Sequence, residues 1–161
     1  MAENRPDHRP LAGADLETWA ALATVLEWLP PALDADLVRD FELTHFEYGI
    51  LYALGAAPDR AVRMSTLADF ANSSLSRLSR AVSRLEARGW VRRSPDPADG
   101  RSTLAALTDD GGAILTAATP AHEAAVRRLV LDPLTGAQRR QLKEIALRMQ
   151  RAVRERAGWR A

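Results

Sequence analysis

The 161-residue sequence contains no cysteine, which excludes a disulfide framework, a thiolate metal site, an iron–sulfur cluster and cysteine-based catalysis. It also has no long apolar run, since the longest, residues 19–26, is far too short to cross a hydrocarbon core of about 30 Å. Residues 1–13 are polar and carry proline instead of an apolar signal region, and they are predicted to form a flexible tail. We therefore expect a cytoplasmic protein with no membrane contact.

The motifs that mark common enzymes are missing as well. There is no glycine-rich phosphate loop, no G-x-S-x-G turn and no H-E-x-x-H helix. The three histidines, His8, His45 and His122, lack the paired spacing of metal ligands. The sequence thus predicts no enzyme, no metal site and no bound cofactor.

What is present is an ordinary globular composition with an uneven distribution of charge. Hydrophobic residues make up 47% of the chain and charged residues 27%, which predicts one folded domain with a proper core. Residues 1–71 carry a net charge of −7, residues 72–108 carry +4 and residues 109–161 carry +4. The middle segment is therefore a local cationic region.

The N-terminal part of the sequence is predicted to be helical. Apolar residues recur at helical spacing over 15–29 and again over 32–41. The pair Pro30-Pro31 lies between these stretches and should interrupt or kink the run. Residues 44–47, with the sequence THFE, have the form of a capping box and predict the start of another helix.

The middle of the chain has the outline of a helix-turn-helix. Ser65 is predicted to cap a short helix that stops at Asn72, a residue type that tolerates the left-handed backbone of a tight turn. Ser74 is predicted to cap a longer helix over 75–88, and Gly89 ends it. A short helix, a turn and a longer helix form the helix-turn-helix unit.

A hairpin is predicted directly after the second helix. Residues 90–93 and 103–107 read as two short strands, joined by a loop over 94–101 that is rich in proline, aspartate and glycine. Arg101 lies near the tip of this hairpin, where Asp99 is expected either to orient it or to shape the turn. A hairpin in this position makes the helix-turn-helix winged.

The C-terminal part returns to helix. Thr108 starts a helix that runs to about residue 131 with a bend near Pro120. Residues 135–138 form a second capping box and open a last helix. The apolar face of that helix consists of Leu142, Ile145, Met149 and Val153.

The two faces of the predicted 75–88 helix differ in chemistry. The face expected to pack on the core consists of Leu75, Leu78, Val82 and Leu85. The opposite face carries Arg77, Arg80, Arg84 and Arg88. These like charges repel one another with only Glu86 nearby to offset them, so a polyanion is a natural partner. The arginine fork matches phosphate oxygens and the O6/N7 edge of guanine, and Ser74 and Ser76 can bond to phosphates or bases.

An arginine stripe by itself is also the ordinary solvated face of an amphipathic helix. Its place between a helix-turn-helix and a hairpin tipped by Arg101 favours double-stranded DNA as the partner. The major groove accepts one helix, and a wing arginine can enter the adjacent minor groove, where the potential is most negative. A winged helix used for protein interaction, or for non-specific nucleoid binding, is the alternative.

Three motifs carry a resemblance to a known family. They are the run SRLEARG at 83–89, the pattern D-x-x-D-G-R at 96–101 and the pattern L-T-D-x-G at 107–111. Together with the run that precedes them from Met64, they closely resemble the MarR family of bacterial transcription regulators. The likeness extends over roughly residues 15–156.

The resemblance implies a mainly α fold with a small β-hairpin wing. It implies a single domain over 14–161, with a winged helix-turn-helix lobe over 44–108 and dimerisation helices over 15–43 and 109–157. It also implies a homodimer that represses from a palindromic operator and is released by a small aromatic or phenolic effector. Carried onto this sequence, the implied DNA contacts are Ser74, Ser76, Arg77, Arg80 and Arg84 in the recognition helix and Arg101 in the wing.

Two further expectations concern the dimer and the effector. The helical stretches 15–41 and 109–156 have larger apolar faces than the winged module can cover, so pairing with a second copy is expected. A twofold dimer reads half-sites one helical turn, about 10 bp, apart. Trp19 and His45 are the predicted effector contacts, although aromatic packing in the core explains the same residues.

Overall fold

The structure is a computed structural model that describes residues 10–157, with side chains to residue 155. Most of the predicted tail, residues 1–9, lies outside the described residues. The chain divides into two compact units, Met1–Ala32 and Leu33–Ala161. No helix among the described residues is both long enough and apolar enough to span a bilayer.

The first helix, α1, is continuous over Gly13–Phe41, so an interruption at Pro30-Pro31, one of the two outcomes predicted there, is wrong. Proline has a backbone φ that suits a helix, but it cannot donate to the carbonyl four residues earlier. The carbonyls that lose a donor belong to Leu26 and Glu27, and both residues are exposed. Water can serve these carbonyls, and the helix therefore continues through the two prolines.

The second unit contains the remaining helices and all the strands. They are α2 (His45–Ala56), β1 (Ala61–Arg63), α3 (Met64–Phe70), α4 (Leu75–Ala87), β2 (Val91–Asp96), β3 (Asp99–Leu107), α5 (Asp109–Val126) and α6 (Gly136–Ala157). A 3₁₀ turn over Pro58–Arg60 precedes β1, and a π-helical turn over Arg127–Leu131 follows α5. This mainly helical fold with a small sheet confirms the predicted fold class.

The sheet is larger than the sequence predicts. It has three antiparallel strands in the order β1-β3-β2, whereas only the hairpin of two was expected. Val62 of β1 pairs with Ala105, and Val91 of β2 pairs with Leu107. β2 and β3 also continue into the predicted 94–101 loop and leave only a tight turn at their tip. The wing is thus longer and better anchored than two short strands would be.

Most of the predicted helix caps are confirmed. The side chains of Thr44, Ser74 and Thr108 each accept a hydrogen bond from an amide three residues later, and residues 135–138 form the reciprocal pair. Ser65 is not a cap, because α3 already begins at Met64. Arg63, the residue before Met64, is the last residue of β1, so the chain passes from strand to helix without a side-chain cap.

The core of the second unit lies where α2, α3, α4 and the sheet meet. Its largest fully buried side chains are Leu37, Leu43, Ile50, Leu51, Leu54, Leu67, Leu78, Leu85, Val82 and Val91. In contrast, every described side chain of α6, from 136 to 155, is exposed. The first unit likewise exposes large apolar side chains, among them Leu16, Trp19, Val25, Leu26 and Trp28.

Candidate nucleic-acid interface

The interface begins at the turn between α3 and α4. Asn72 adopts a positive φ of 45°, as expected for the residue of a tight interhelical turn. Ser74 Oγ then accepts a hydrogen bond from the amide of Arg77, which fixes the start of α4. Gly89, with φ of 75°, lies just beyond the end of α4 and turns the chain into β2.

The helix α4 buries one side and exposes the other. Leu78, Ala81, Val82 and Leu85 are buried, while Ser74, Ser76, Arg77, Arg80, Arg84 and Arg88 are exposed. Leu75 was predicted to pack in the core but is 53% exposed, so that prediction is wrong. As the first residue of α4, it lies beside the wing and not under the helix.

Three of the exposed arginines are held by the segment at the end of α1 and the start of α2. Arg84 Nε donates to Glu47 Oε1 at 2.7 Å. The Arg77 guanidinium lies 4.4 Å from the centroid of the Phe46 ring. Arg88 donates to the backbone carbonyl of Glu42 at 2.7 Å and forms an ion pair with its carboxylate at 3.2 Å. The fourth, Arg80, turns back to the carbonyl of Ser76 at a long 3.4 Å.

Glu47 is the buried member of this group, with only 6% of the residue exposed. Its Oε2 accepts from both the amide and the hydroxyl of Thr44, which completes the capping box, while Oε1 accepts from Arg84. Burial favours a raised pKa for Glu47, but the hydrogen bonds from Thr44 and Arg84 outweigh burial and lower the pKa. The carboxylate is therefore charged at neutral pH.

The sequence indicated Glu47 only as a helix cap, and it indicated Glu86 as the acid nearest the arginine stripe. In the structure Glu86 instead accepts from the amide and the guanidinium of Arg93 in β2. It therefore ties α4 to the wing and neutralises no arginine of the stripe. Residue spacing could not reveal Arg84 as the partner of Glu47, because 37 positions separate them.

The wing is shaped by two aspartates. Asp99 Oδ1 accepts from the amide of Arg101 and Oδ2 from the hydroxyl of Ser102, so Asp99 shapes the turn and does not hold the Arg101 guanidinium. Asp96 is buried and accepts from the amide of Ala98 and, at 2.6 Å, from Arg63 Nε. These bonds, first the one from Ala98, lower the pKa of Asp96.

Arg101 and the start of α4 lie on the same side of the second unit. Together they border one open cleft of about 290 Å³, whose lining residues are Met64, Ser65, Leu75, Ser79, Arg93, Arg101, Ser102 and Thr103. Among the residues that the structure describes, the Arg101 guanidinium makes no hydrogen bond. The wing and the start of α4 thus border the same volume of solvent, and the two arginines that line it, Arg93 and Arg101, both come from the wing.

The two predicted effector contacts differ in their surroundings. His45 is half-buried and stacks on His122 of α5, and the facing ring nitrogens are 3.1 Å apart. Tyr48 stacks on the same His122 ring at 4.1 Å. Burial lowers the pKa of both histidines, and the proximity of His45 lowers that of His122 further, so the rings are mainly neutral at neutral pH. Trp19 belongs to the first unit and is half exposed.

Known proteins that are similar to this chain are transcriptional regulators. The sequence model of the MarR family matches residues 40–102, from the end of α1 to the wing. The uncharacterized HTH-type transcriptional regulator YdcH of Bacillus subtilis (strain 168) is 35% identical over 88 residues, which are 53% of this chain and 60% of YdcH. Transcriptional regulator HosA of Escherichia coli O111:H- is 32% identical over 111 residues, which are 69% of this chain and 80% of HosA.

A solved structure extends the similarity to nearly the whole chain. It is that of Sco3205 from Streptomyces coelicolor, a MarR family transcriptional regulator in complex with DNA. The two chains are 38% identical, with a TM-score of 0.87, and the match covers 94% of this chain and 92% of Sco3205. This chain therefore belongs to the MarR family of transcriptional regulators, which are not enzymes.

Proposed function

We propose that this regulator binds a pseudo-palindromic operator as a homodimer and represses transcription from it. The observation that supports this most directly is the cleft that the start of α4 shares with the wing, where Arg93 and Arg101 of the wing lie beside Leu75 and Ser79 of the helix. An α-helix fits the major groove, and an arginine beside it reaches the narrow minor groove. Duplex DNA matches both halves of such a surface.

The proposed contacts follow from this docking. Exposed groups on α4, namely Ser74, Ser76, Arg77, Arg80 and Arg84, would lie in the major groove, and Arg101 would lie in the minor groove. Ser74 and Ser76 are at the helix N-terminus, where short side chains and free amides suit phosphate oxygens. The arginines further along α4 suit guanine edges or phosphates.

The dimer is proposed on the exposed apolar side of α6. Leu142, Ile145, Met149 and Val153 recur at helical spacing, and each is more than 40% exposed. Monomeric proteins rarely expose so large an apolar surface, and a second copy related by a twofold axis would cover it. We assign the dimerisation region to residues 15–43 and 109–157 and the DNA-binding lobe to residues 44–108 within one domain over 14–161.

We extend the proposal to release from the operator by a small aromatic or phenolic effector, with Trp19 and His45 as contacts. Both side chains present part of an aromatic ring to solvent, and such rings bind flat ligands by stacking. A panel of phenolic and other aromatic acids should contain a compound that raises the melting temperature, because a ligand that binds the folded state stabilises it. An unchanged melting temperature across the panel would contradict the effector.

Selection of bound sequences from a random DNA pool tests the proposed function. The selected site should be pseudo-palindromic with half-site centres about 10 bp apart, and it should be preferred over bulk DNA by about 10³-fold or more. Transcription from a promoter that contains this site should fall when the protein is added. A nucleoid protein would bind all sequences alike, and a protein-interaction module would bind none.

Arg101→Ala tests the wing on the same operator. Losing one phosphate or minor-groove contact should weaken binding on most sequences and lower the salt dependence by about 1 in log–log slope per half-site. Arg151→Ala is the matched control, because it removes the same charge from the side of α6 opposite its apolar face. An unchanged slope for Arg101→Ala would show that the wing makes no ionic contact.

A further inference from the structure

Three residues outside the helix-turn-helix contact the arginine side chains of α4. They are Glu42, Phe46 and Glu47, and we refer to them as the support group. They hold Arg88, Arg77 and Arg84 respectively, by an ion pair, a stacked ring and a buried carboxylate. None of the three lies on α3 or α4. The arginine side chains of α4 are therefore held in place by residues that precede the helix-turn-helix in the chain.

We propose that Glu47 is a positioning residue for operator recognition, which fixes the Arg84 guanidinium so that its two terminal nitrogens face the DNA. This inference rests on the proposed function, because it assumes that α4 enters the major groove. Glu47 itself touches no base or phosphate in this arrangement. It is buried beneath α4, whereas the Arg84 side chain remains 60% exposed.

The hydrogen-bond geometry explains how the orientation is set. An arginine offers three nitrogens, and Glu47 Oε1 occupies Nε at 2.7 Å. Nη1 and Nη2 are left as a parallel pair of donors, which is the arrangement that matches guanine O6 and N7 or two phosphate oxygens. The carboxylate cannot rotate away, because Thr44 holds its second oxygen from both the amide and the hydroxyl.

The energetic consequence is a lower cost of binding. A free arginine side chain loses much of its rotamer freedom when a ligand fixes it. Glu47 fixes Arg84 before DNA arrives, so less of that entropy is lost at the interface. Simple electrostatics predicts the reverse, since a carboxylate near a polyanion should weaken binding and its removal should strengthen it. The two interpretations therefore predict changes of opposite sign.

The test compares Glu47→Ala with wild type on the selected operator and on random DNA of the same length at one salt concentration. We expect the affinity of Glu47→Ala for the operator to fall about 10-fold, the size of one good bidentate contact, with no fall on random DNA. Glu47→Gln should recover only part of the loss, because its amide oxygen can accept from Arg84 Nε, whereas its amino group cannot accept from the Thr44 amide as Glu47 Oε2 does. In an Arg84→Ala background, Glu47→Ala should have no further effect on the ratio of the two affinities.

Asp34→Ala is the control for damage to the fold. It removes another carboxylate beside the start of α2, which accepts from the amide of His45, and it leaves Thr44, Glu47 and Arg84 in place, so its ratio of operator to random affinity should equal that of wild type. Equal or tighter operator binding by folded Glu47→Ala would overturn the proposal. It would also be overturned if Glu47→Ala lowered the ratio of operator to random affinity by the same factor in the Arg84→Ala background as in wild type. Failure of the proposed function would instead appear as a wild-type protein that prefers no sequence.

Discussion

Ile145→Glu should convert the proposed dimer into a monomer and lower operator affinity by about 100-fold or more. Ile145 is 54% exposed in the single chain, so glutamate costs the isolated fold little. In the proposed dimer the same position is covered by a second copy, and each dimer would bury two unpaired carboxylates. A monomer can hold only one half-site, and the gain in affinity from engaging both half-sites together is lost.

Sedimentation or light scattering measures the first part of this prediction, and operator titration measures the second. Arg151→Ala again serves as the control, because it changes the net charge by the same amount on the opposite side of α6. It should remain dimeric and bind as wild type. A dimeric Ile145→Glu protein would place the interface elsewhere.

Gly111→Ala should destabilise the fold by about 3 kcal/mol, because the new methyl group would overlap atoms that cannot move aside. A Cβ at Gly111 would collide with the backbone carbonyl of Trp90 and lie 2.7 Å from a methyl group of Leu107. That carbonyl accepts the amide of Thr108, which joins the wing to the start of α5. For a chain of this size, a loss of that magnitude corresponds to a fall in melting temperature of about 10 °C.

The neighbouring Gly112→Ala variant separates the collision from the general effect of adding a methyl group to a helix. A Cβ at Gly112 would meet only the end of the Arg60 side chain, which is partly exposed and can shift by giving up its hydrogen bonds to the Thr108 carbonyl and the exposed Asp109. Both substitutions gain the same helix propensity of up to about 1 kcal/mol. We expect Gly112→Ala to stay within about 1 kcal/mol of wild type, and similar melting temperatures for the two variants would contradict the role assigned to the Trp90 carbonyl.

Features that depend on a few consecutive residues were predictable from the sequence. The caps at Thr44, Ser74 and Thr108 each need a side-chain oxygen and an amide three positions later, so the pattern and the bond coincide. The arginine stripe follows from helical periodicity in the same way. Ser65 failed as a cap because strand pairing of the residues before it decided where α3 begins.

Features that depend on distant parts of the chain were not predictable. β1 has three residues, too few for an alternating pattern, and it exists because β3 is available to pair with it. Leu75 occupies an apolar position on the helical wheel, but the chain places no core element beside it. Glu47 fits the capping-box motif completely. Its hydrogen bond with Arg84 depends on the packing of α2 against α4, which a local motif does not reveal.

The link between Arg63 and Asp96 limits how this protein can be recombined with its relatives. Arg63 is the last residue of β1, and its side chain reaches across β3 to the buried carboxylate at the far end of β2. A relative that receives the hairpin alone would gain Asp96 without Arg63, which leaves a buried carboxylate without its counterion. The smallest transplantable unit therefore begins at residue 61, thirty positions before the hairpin itself.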